Sequence, residues 1–137
     1  MAHEKFQVEV LTPEGKVFDE EVEMVSTRTA DGSIGILAHH EPVLAMLDPA
    51  ELRLYRSDSD VVSFAQAEGY MQIGDNHALL LVQEAFPPDQ LDAGQLRERL
   101  QEAERQLESS DDDTERQRLA ERDKRRWEQF LQIAEGS

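Results

Sequence analysis

Apolar and polar residues alternate along Phe6-Gln7-Val8-Glu9-Val10, the period-two rhythm of a strand with one buried face. The same rhythm returns at 17–18, 22–27, 34–37, 43–47, 62–64, 70–73 and 79–82. Between them Leu52, Leu54 and Arg56 alternate with Arg53 and Tyr55. Turn chemistry separates the runs. In Thr12-Pro13-Glu14-Gly15 the proline presets φ, and Gly15 tolerates the positive φ that closes the bend. Asp31-Gly32-Ser33, Ser57-Asp58-Ser59-Asp60 and Gly74-Asp75-Asn76 punctuate the chain in the same way. A series of about ten short strands at this spacing predicts a β-sandwich, or a flattened barrel.

The grammar changes at Phe86-Pro87-Pro88-Asp89, where neither proline supports a strand ladder and each pushes its predecessor away from helix. Beyond it, Leu96, Leu100, Ala103 and Leu107 recur at helical spacing, with Asp89 or Asp92 available as the N-cap. Gly94 weakens this helix by roughly 1 kcal/mol relative to alanine. After the break Ser109-Ser110-Asp111-Asp112-Asp113, a second stripe runs through Ala120, Trp127, Phe130, Leu131 and Ala134. Asp112 or Asp113 can cap that helix, and Glu115 suits the positive end of its dipole. The organisation expected is a β-sandwich over 1–86 and an antiparallel α-helical hairpin over 87–137. So thin a helical core is marginal alone. It must lean on the β module or on another protein, and an element with two resting places can act as a switch.

Charge sharpens this division. The net charge is −16, with 5 basic and 16 acidic side chains in residues 1–86 against 9 and 14 in residues 87–137. Such a balance argues against nucleic-acid backbone binding, which needs clustered cations. Most of the positive charge lies on the helical tail, where Arg122, Lys124, Arg125 and Arg126 form either a solvated face or a patch for an acidic partner. Cysteine is absent, so disulfides and thiolate chemistry are excluded. No run approaches the roughly 18–20 apolar residues of a membrane span, and the opening residues show no signal peptide.

Motifs for catalysis are also missing: there is no phosphate-binding loop, no nucleophile elbow and no zinc helix. His39-His40-Glu41 invites a metal reading, but adjacent residues of extended chain point to opposite faces and make poor joint ligands. No cofactor is expected.

One stretch is specific. Asp31-Gly32-Ser33-Ile34-Gly35-Ile36-Leu37-Ala38-His39-His40-Glu41-Pro42-Val43-Leu44 resembles the Gly-x-x-Gly-x-x-x-Gly-His-x-Pro-Leu signature of the epsilon subunit of F-type ATP synthases. The opening hairpin around Thr12-Pro13-Glu14-Gly15, the stretch Gln66-Ala67-Glu68-Gly69-Tyr70-Met71-Gln72-Ile73 and the β-then-hairpin order resemble that family too. There are two departures. His39 stands where the family has glycine before the motif histidine, which leaves the backbone geometry of this turn open. The Ile/Leu-Asp-x-x-Arg-Ala motif, through which some members bind ATP, is matched only by Leu91-Asp92, since Gln95 and Leu96 follow. Without the arginine fork, phosphate recognition loses its main donor, so no ATP site is assigned.

The resemblance implies a non-catalytic rotor subunit whose sandwich packs on the gamma subunit and rests on the ring of membrane c subunits, coupling proton flow to ATP synthesis. It implies a hairpin that folds against the sandwich, or extends along gamma toward the catalytic β subunits and inhibits ATP hydrolysis. Contact positions map to Asp31, Ser33, His39, His40, Glu41 and Pro42, with Ser33 replacing an acidic residue of some members. Charge complementarity nominates Arg122, Lys124, Arg125 and Arg126 for the extended state. The place expected is the cytoplasmic face of the bacterial inner membrane, peripheral and through the complex alone, because no Arg- and Ser-rich transit segment precedes Phe6. The competing readings are an unrelated adaptor, with a sandwich scaffold and a coiled-coil docking hairpin, and a small hydrolase using His40.

Overall fold

The computed structural model describes residues 3–110 and 112–136, so Asp111 of the inter-helix break lies outside them. The chain forms two compact units, Met1–Pro87 and Pro88–Ser137.

The first unit contains ten strands: β1 (Phe6–Thr12), β2 (Gly15–Val22), β3 (Met24–Thr29), β4 (Gly32–Ile36), β5 (Val43–Leu47), β6 (Ala50–Tyr55), β7 (Val61–Gln66), β8 (Gly69–Gly74), β9 (His77–Val82) and β10 (Ala85–Phe86). They form one sheet in the order β10-β7-β6-β3-β5-β8-β9-β1-β2, with β4 paired to β3 alone. The sheet folds into a nearly closed β-sandwich. All pairings are antiparallel except β1 with β9, where Val8 lies beside Ala78 and Val10 beside Leu80. Between β3 and β5 a single pair, Thr29 and Leu47, carries the connection. Alternation on β1 sends Phe6, Val8 and Val10 inward, where they meet Val22, Val25, Ile36, Leu52, Leu54, Met71 and Leu80.

Strand β2 is longer than its apolar pattern shows, because only Phe18 and Val22 face inward. It is an edge strand, and Lys16, Asp19, Glu20 and Glu21 discourage pairing with another chain. Arg56, just past β6, forks onto Glu20 with contacts of 2.9 and 2.8 Å. That guanidinium, through its hydrogen bonds, holds the Glu20 carboxyl below its ordinary pKa. Strand β4 starts earlier than expected, at Gly32, whose φ of 126° suits glycine. It also ends earlier, leaving Leu37 exposed.

In the interior, Gln66 is fully buried and hydrogen-bonded at both ends of its amide. Its Oε1 accepts from the Thr27 hydroxyl (2.9 Å), and its Nε2 donates to the carbonyl of Asp48 (2.8 Å). A buried amide with both ends satisfied fixes one arrangement of the chains around it.

The second unit has a 3-10 turn over Pro88–Gln90 and two helices, α1 (Ala93–Glu108) and α2 (Thr114–Gly136). Of the available caps, Asp92 starts α1 by accepting from the Gln95 amide (3.1 Å), and Asp113 starts α2 by accepting from the Arg116 amide (3.1 Å). Leu96, Ala103, Ala120 and Phe130 are the buried apolar side chains of the two helices.

Gly69 shows how tightly β8 and β9 meet. A β-carbon there would lie 2.0 Å from the carbonyl oxygen of Leu81 and 2.8 Å from the Cα of Val82. Gly69→Ala must therefore push the strands apart, and a loss of about 2–3 kcal/mol is expected from the overpacking. Urea denaturation of the isolated chain reads this directly, and an unchanged midpoint would mean that the strands separate freely.

Candidate docking surfaces

The six contact positions expected in the first unit fall into two groups, one at each end of β4. Asp31 sits in the β3–β4 turn, where its amide donates to the Thr29 hydroxyl (3.2 Å). Ser33 lies on β4 opposite Arg28. His39, His40, Glu41 and Pro42 lie beyond the far end of β4, in the connection to β5. At about 3.3 Å per residue, the strand sets the two groups well apart.

The β4–β5 connection is built from polar contacts. His39 has φ +64°, the left-handed region that glycine enters without cost, so the residue that departs from the family pattern adopts a glycine-like backbone. Its amide donates to Asn76 Oδ1 (2.7 Å), and its Nε2 lies 2.8 Å from Glu4 Oε2. His40 donates from Nδ1 to the carbonyl of Glu41 (2.7 Å). Among the described residues, no group of three or more His, Cys, Asp or Glu side chains could hold a metal ion.

A second surface begins where this connection ends. On the outer face of β5, Leu44 is 73% exposed and Met46 60%, while Tyr70 on β8 is 54% exposed and Leu81 on β9 46%. The registers place Met46 beside Tyr70, and Tyr70 beside Leu81. The result is an apolar row across three strands, with Leu44 one step along β5. Sequence reasoning missed it. The signal was available: Val43-Leu44-Ala45-Met46-Leu47 is apolar on both faces, which a strand with one solvated face does not require.

On the second unit, the four candidate cations already have partners. Arg122 contacts Asp123 (2.9 Å), Lys124 lies 3.9 Å from Glu128, and Arg125 is not free. The Arg126 guanidinium lies 5.4 Å from the Trp127 ring centroid, and Arg99 of α1 approaches the same ring at 5.0 Å. Trp127 in turn meets Phe130 edge to face at 5.9 Å. At the end of the hairpin away from the inter-helix turn, Arg97 of α1 pairs with Glu135 of α2 at 2.6 Å. A cleft of about 360 Å³ opens between the helices, lined by Arg99, Glu102, Arg116, Asp123 and Trp127 among others. In the partial nucleotide motif, the Gln95 amide is spent on the Asp92 cap and Leu96 is buried.

Residues 5–88 match the family model described as ATP synthase, Delta/Epsilon chain, beta-sandwich domain. The chain belongs to this family. Its relatives include ATP synthase epsilon chains of Rubrobacter xylanophilus (34% identical, covering 80% of this chain and 77% of the relative) and Sulfurihydrogenibium sp. (30% identical, covering 94% and 96%). The epsilon chain of Bacillus subtilis is 33% identical, with 79% and 81% covered. The fold is also that of a chain in the cryo-EM structure of the Euglena gracilis mitochondrial ATP synthase OSCP/F1/c-ring assembly. There the TM-score is 0.79 at 20% identity, covering 95% of this chain and 81% of that one. A chain of the Tetrahymena thermophila mitochondrial ATP synthase central stalk and c-ring structure gives 0.65 at 18% identity, covering 98% and 99%. Epsilon chains are non-catalytic subunits, so family membership sets aside both the unrelated adaptor and the hydrolase built on His40.

Trp127 is the one tryptophan of the chain, so its emission reports on the hairpin alone. Arg99→Ala removes the cation that reaches it from α1, and a loss of about 0.5–1 kcal/mol in the hairpin's stability is expected. Urea titration followed by Trp127 fluorescence should show the midpoint fall. An unaltered midpoint would mean that the ring contact holds nothing.

Proposed function

We propose that this chain is a central-stalk subunit that couples rotation of a c-subunit ring to ATP synthesis, and that its hairpin restrains ATP hydrolysis. The observation that carries the docking half is the exposed row of Leu44, Met46, Tyr70 and Leu81 on an otherwise acidic, well-packed sandwich. Contiguous apolar surface rimmed by polar residues marks an interaction site. The partner that fits is the gamma subunit, presenting an apolar surface of its own. Asp31 with Ser33, and His39 through Pro42, supply polar contacts to ring and gamma from the two ends of β4.

The hairpin suits regulation because it buries little. Four apolar side chains are buried along its two helices, and its cross-helix ties are exposed charge and ring contacts. In the extended state Arg122, Lys124, Arg125 and Arg126 would meet an acidic segment of the catalytic β subunit, with Arg122 and Lys124 exchanging carboxylates of their own helix for it. Among the described residues no helix is long and apolar enough to cross a membrane. The association proposed is peripheral, through the complex, at the cytoplasmic face of a bacterial inner membrane, and the bacterial relatives support that setting.

Two experiments test the reading. Leu44→Glu with Met46→Glu places charge on side chains that face water, so thermal stability should hold while affinity for purified gamma falls by roughly thirtyfold or more. Unchanged affinity would remove the apolar row from the interface. Deleting residues 88–137 should leave the sandwich folded and bound to gamma, while raising ATP hydrolysis by the reassembled enzyme. If hydrolysis stays at the full-length level, the hairpin is not the restraint.

A further inference from the structure

His39 is the strained point of the β4–β5 connection. A residue with a β-carbon enters the left-handed region only against steric resistance, so the surroundings must hold it there. The principal contact at its backbone comes from another loop. Strands β8 and β9 are joined through Asp75 and Asn76, with φ values of 51° and 58°. Two successive residues at positive φ make the tight hairpin turn whose twist suits antiparallel strands. Because Val43 of β5 pairs with Ile73 of β8, the connection leaves the sandwich beside this turn. The Asn76 side chain crosses the gap, and its Oδ1 accepts the His39 amide at 2.7 Å. On the other side, the His39 imidazole lies 2.8 Å from the Glu4 carboxylate, in the segment before β1.

We propose that Asn76 is a positioning residue: by capping the His39 amide it fixes the left-handed backbone there and sets the direction in which His40, Glu41 and Pro42 are presented. The docking surface at this end of the sandwich is then two loops welded into one, with the β8–β9 turn acting as the template for the β4–β5 connection. The weld also accounts for how a histidine occupies a place where glycine resides in the family signature. The functional consequence rests on the reading that the His39 to Pro42 segment contacts the stalk.

The sharp test replaces Asn76 without disturbing its own turn. Asn76→Gly keeps access to positive φ and removes only the acceptor, while Asn76→Asp keeps both. In the full-length chain, amide hydrogen exchange at His39 should quicken about tenfold in the glycine variant and stay near its original rate in the aspartate variant. Amides of the β5–β8 ladder serve as the control and should hold their protection in both. If His39 exchange is unmoved by Asn76→Gly, or is lost equally in Asn76→Asp, the positioning role is wrong. Affinity for a purified gamma–c-ring subcomplex is the second readout. A fall of about tenfold in the glycine variant, restored by aspartate, supports both the weld and the contact. Faster exchange with unchanged affinity upholds Asn76 as the positioning residue and removes the segment from the interface.

Discussion

Parallel pairing of β1 with β9 is the constraint on which the first unit rests. It joins the opening strand to one that lies far along the chain, and no local turn could impose it. Joining strands so far apart costs loop-closure entropy, which the contacts of the whole sheet offset. Closure is what puts Val8 and Val10 against Ala78 and Leu80. The outer faces of β5, β8 and β9 are joined into one surface by their own antiparallel registers. At the opposite corner the sheet is thin, with one residue pair joining β3 to β5. There the Thr27–Gln66–Asp48 hydrogen bonds supply a directional tie that dispersion alone could not.

The strands were legible because each carries its own alternation, and the turns because each has a chemical reason. Gly15 and Gly32 do take positive φ. In the β8–β9 turn, however, the left-handed residues are Asp75 and Asn76, not the neighbouring Gly74. Strand β2 was underread, since an edge strand with a charged outer side gives the alternation little to show. The two caps, Asp92 and Asp113, were each one of two candidates, and only geometry separated them. The family signature was readable as a string of residues. What it could not show was that its two ends belong to different turns on either side of β4, or that His39 is held by Asn76, thirty-seven residues away. Side-chain contacts between loops leave no period in a sequence.

The apolar row is a different kind of omission. Leu44 and Met46 read as strand residues, and a strand residue of that type is ordinarily assigned to a core. Only the register, with Met46 beside Tyr70 and Tyr70 beside Leu81, shows that a second apolar face exists. The core is already complete without it. An apolar surface beyond what packing needs costs solubility in the free chain, and the −16 net charge offsets that cost. The acidic composition and the exposed row are thus two sides of one arrangement, in which charge offsets the cost of leaving apolar side chains in water.

The hairpin follows the opposite logic, and its cations show why it suits a reversible role. Arg122 and Lys124 lie beside carboxylates of their own helix, and Arg126 lies over Trp127. Exposed pairs of this sort contribute about 0–1 kcal/mol each. Exchanging them for equally exposed pairs on another protein therefore changes the free energy little, whichever conformation is adopted. What remains to decide the balance is the burial of Leu96, Ala103, Ala120 and Phe130, together with the ring contacts to Trp127. Two of those four are alanines, so the apolar term is small as well. The proposed conformational equilibrium, built from small opposing terms, would respond to modest inputs such as a partner's charge or a shift in ionic strength. The sandwich, closed through long-range pairing, has no comparable alternative. The proposed division thereby assigns stability and responsiveness to separate stretches of one chain.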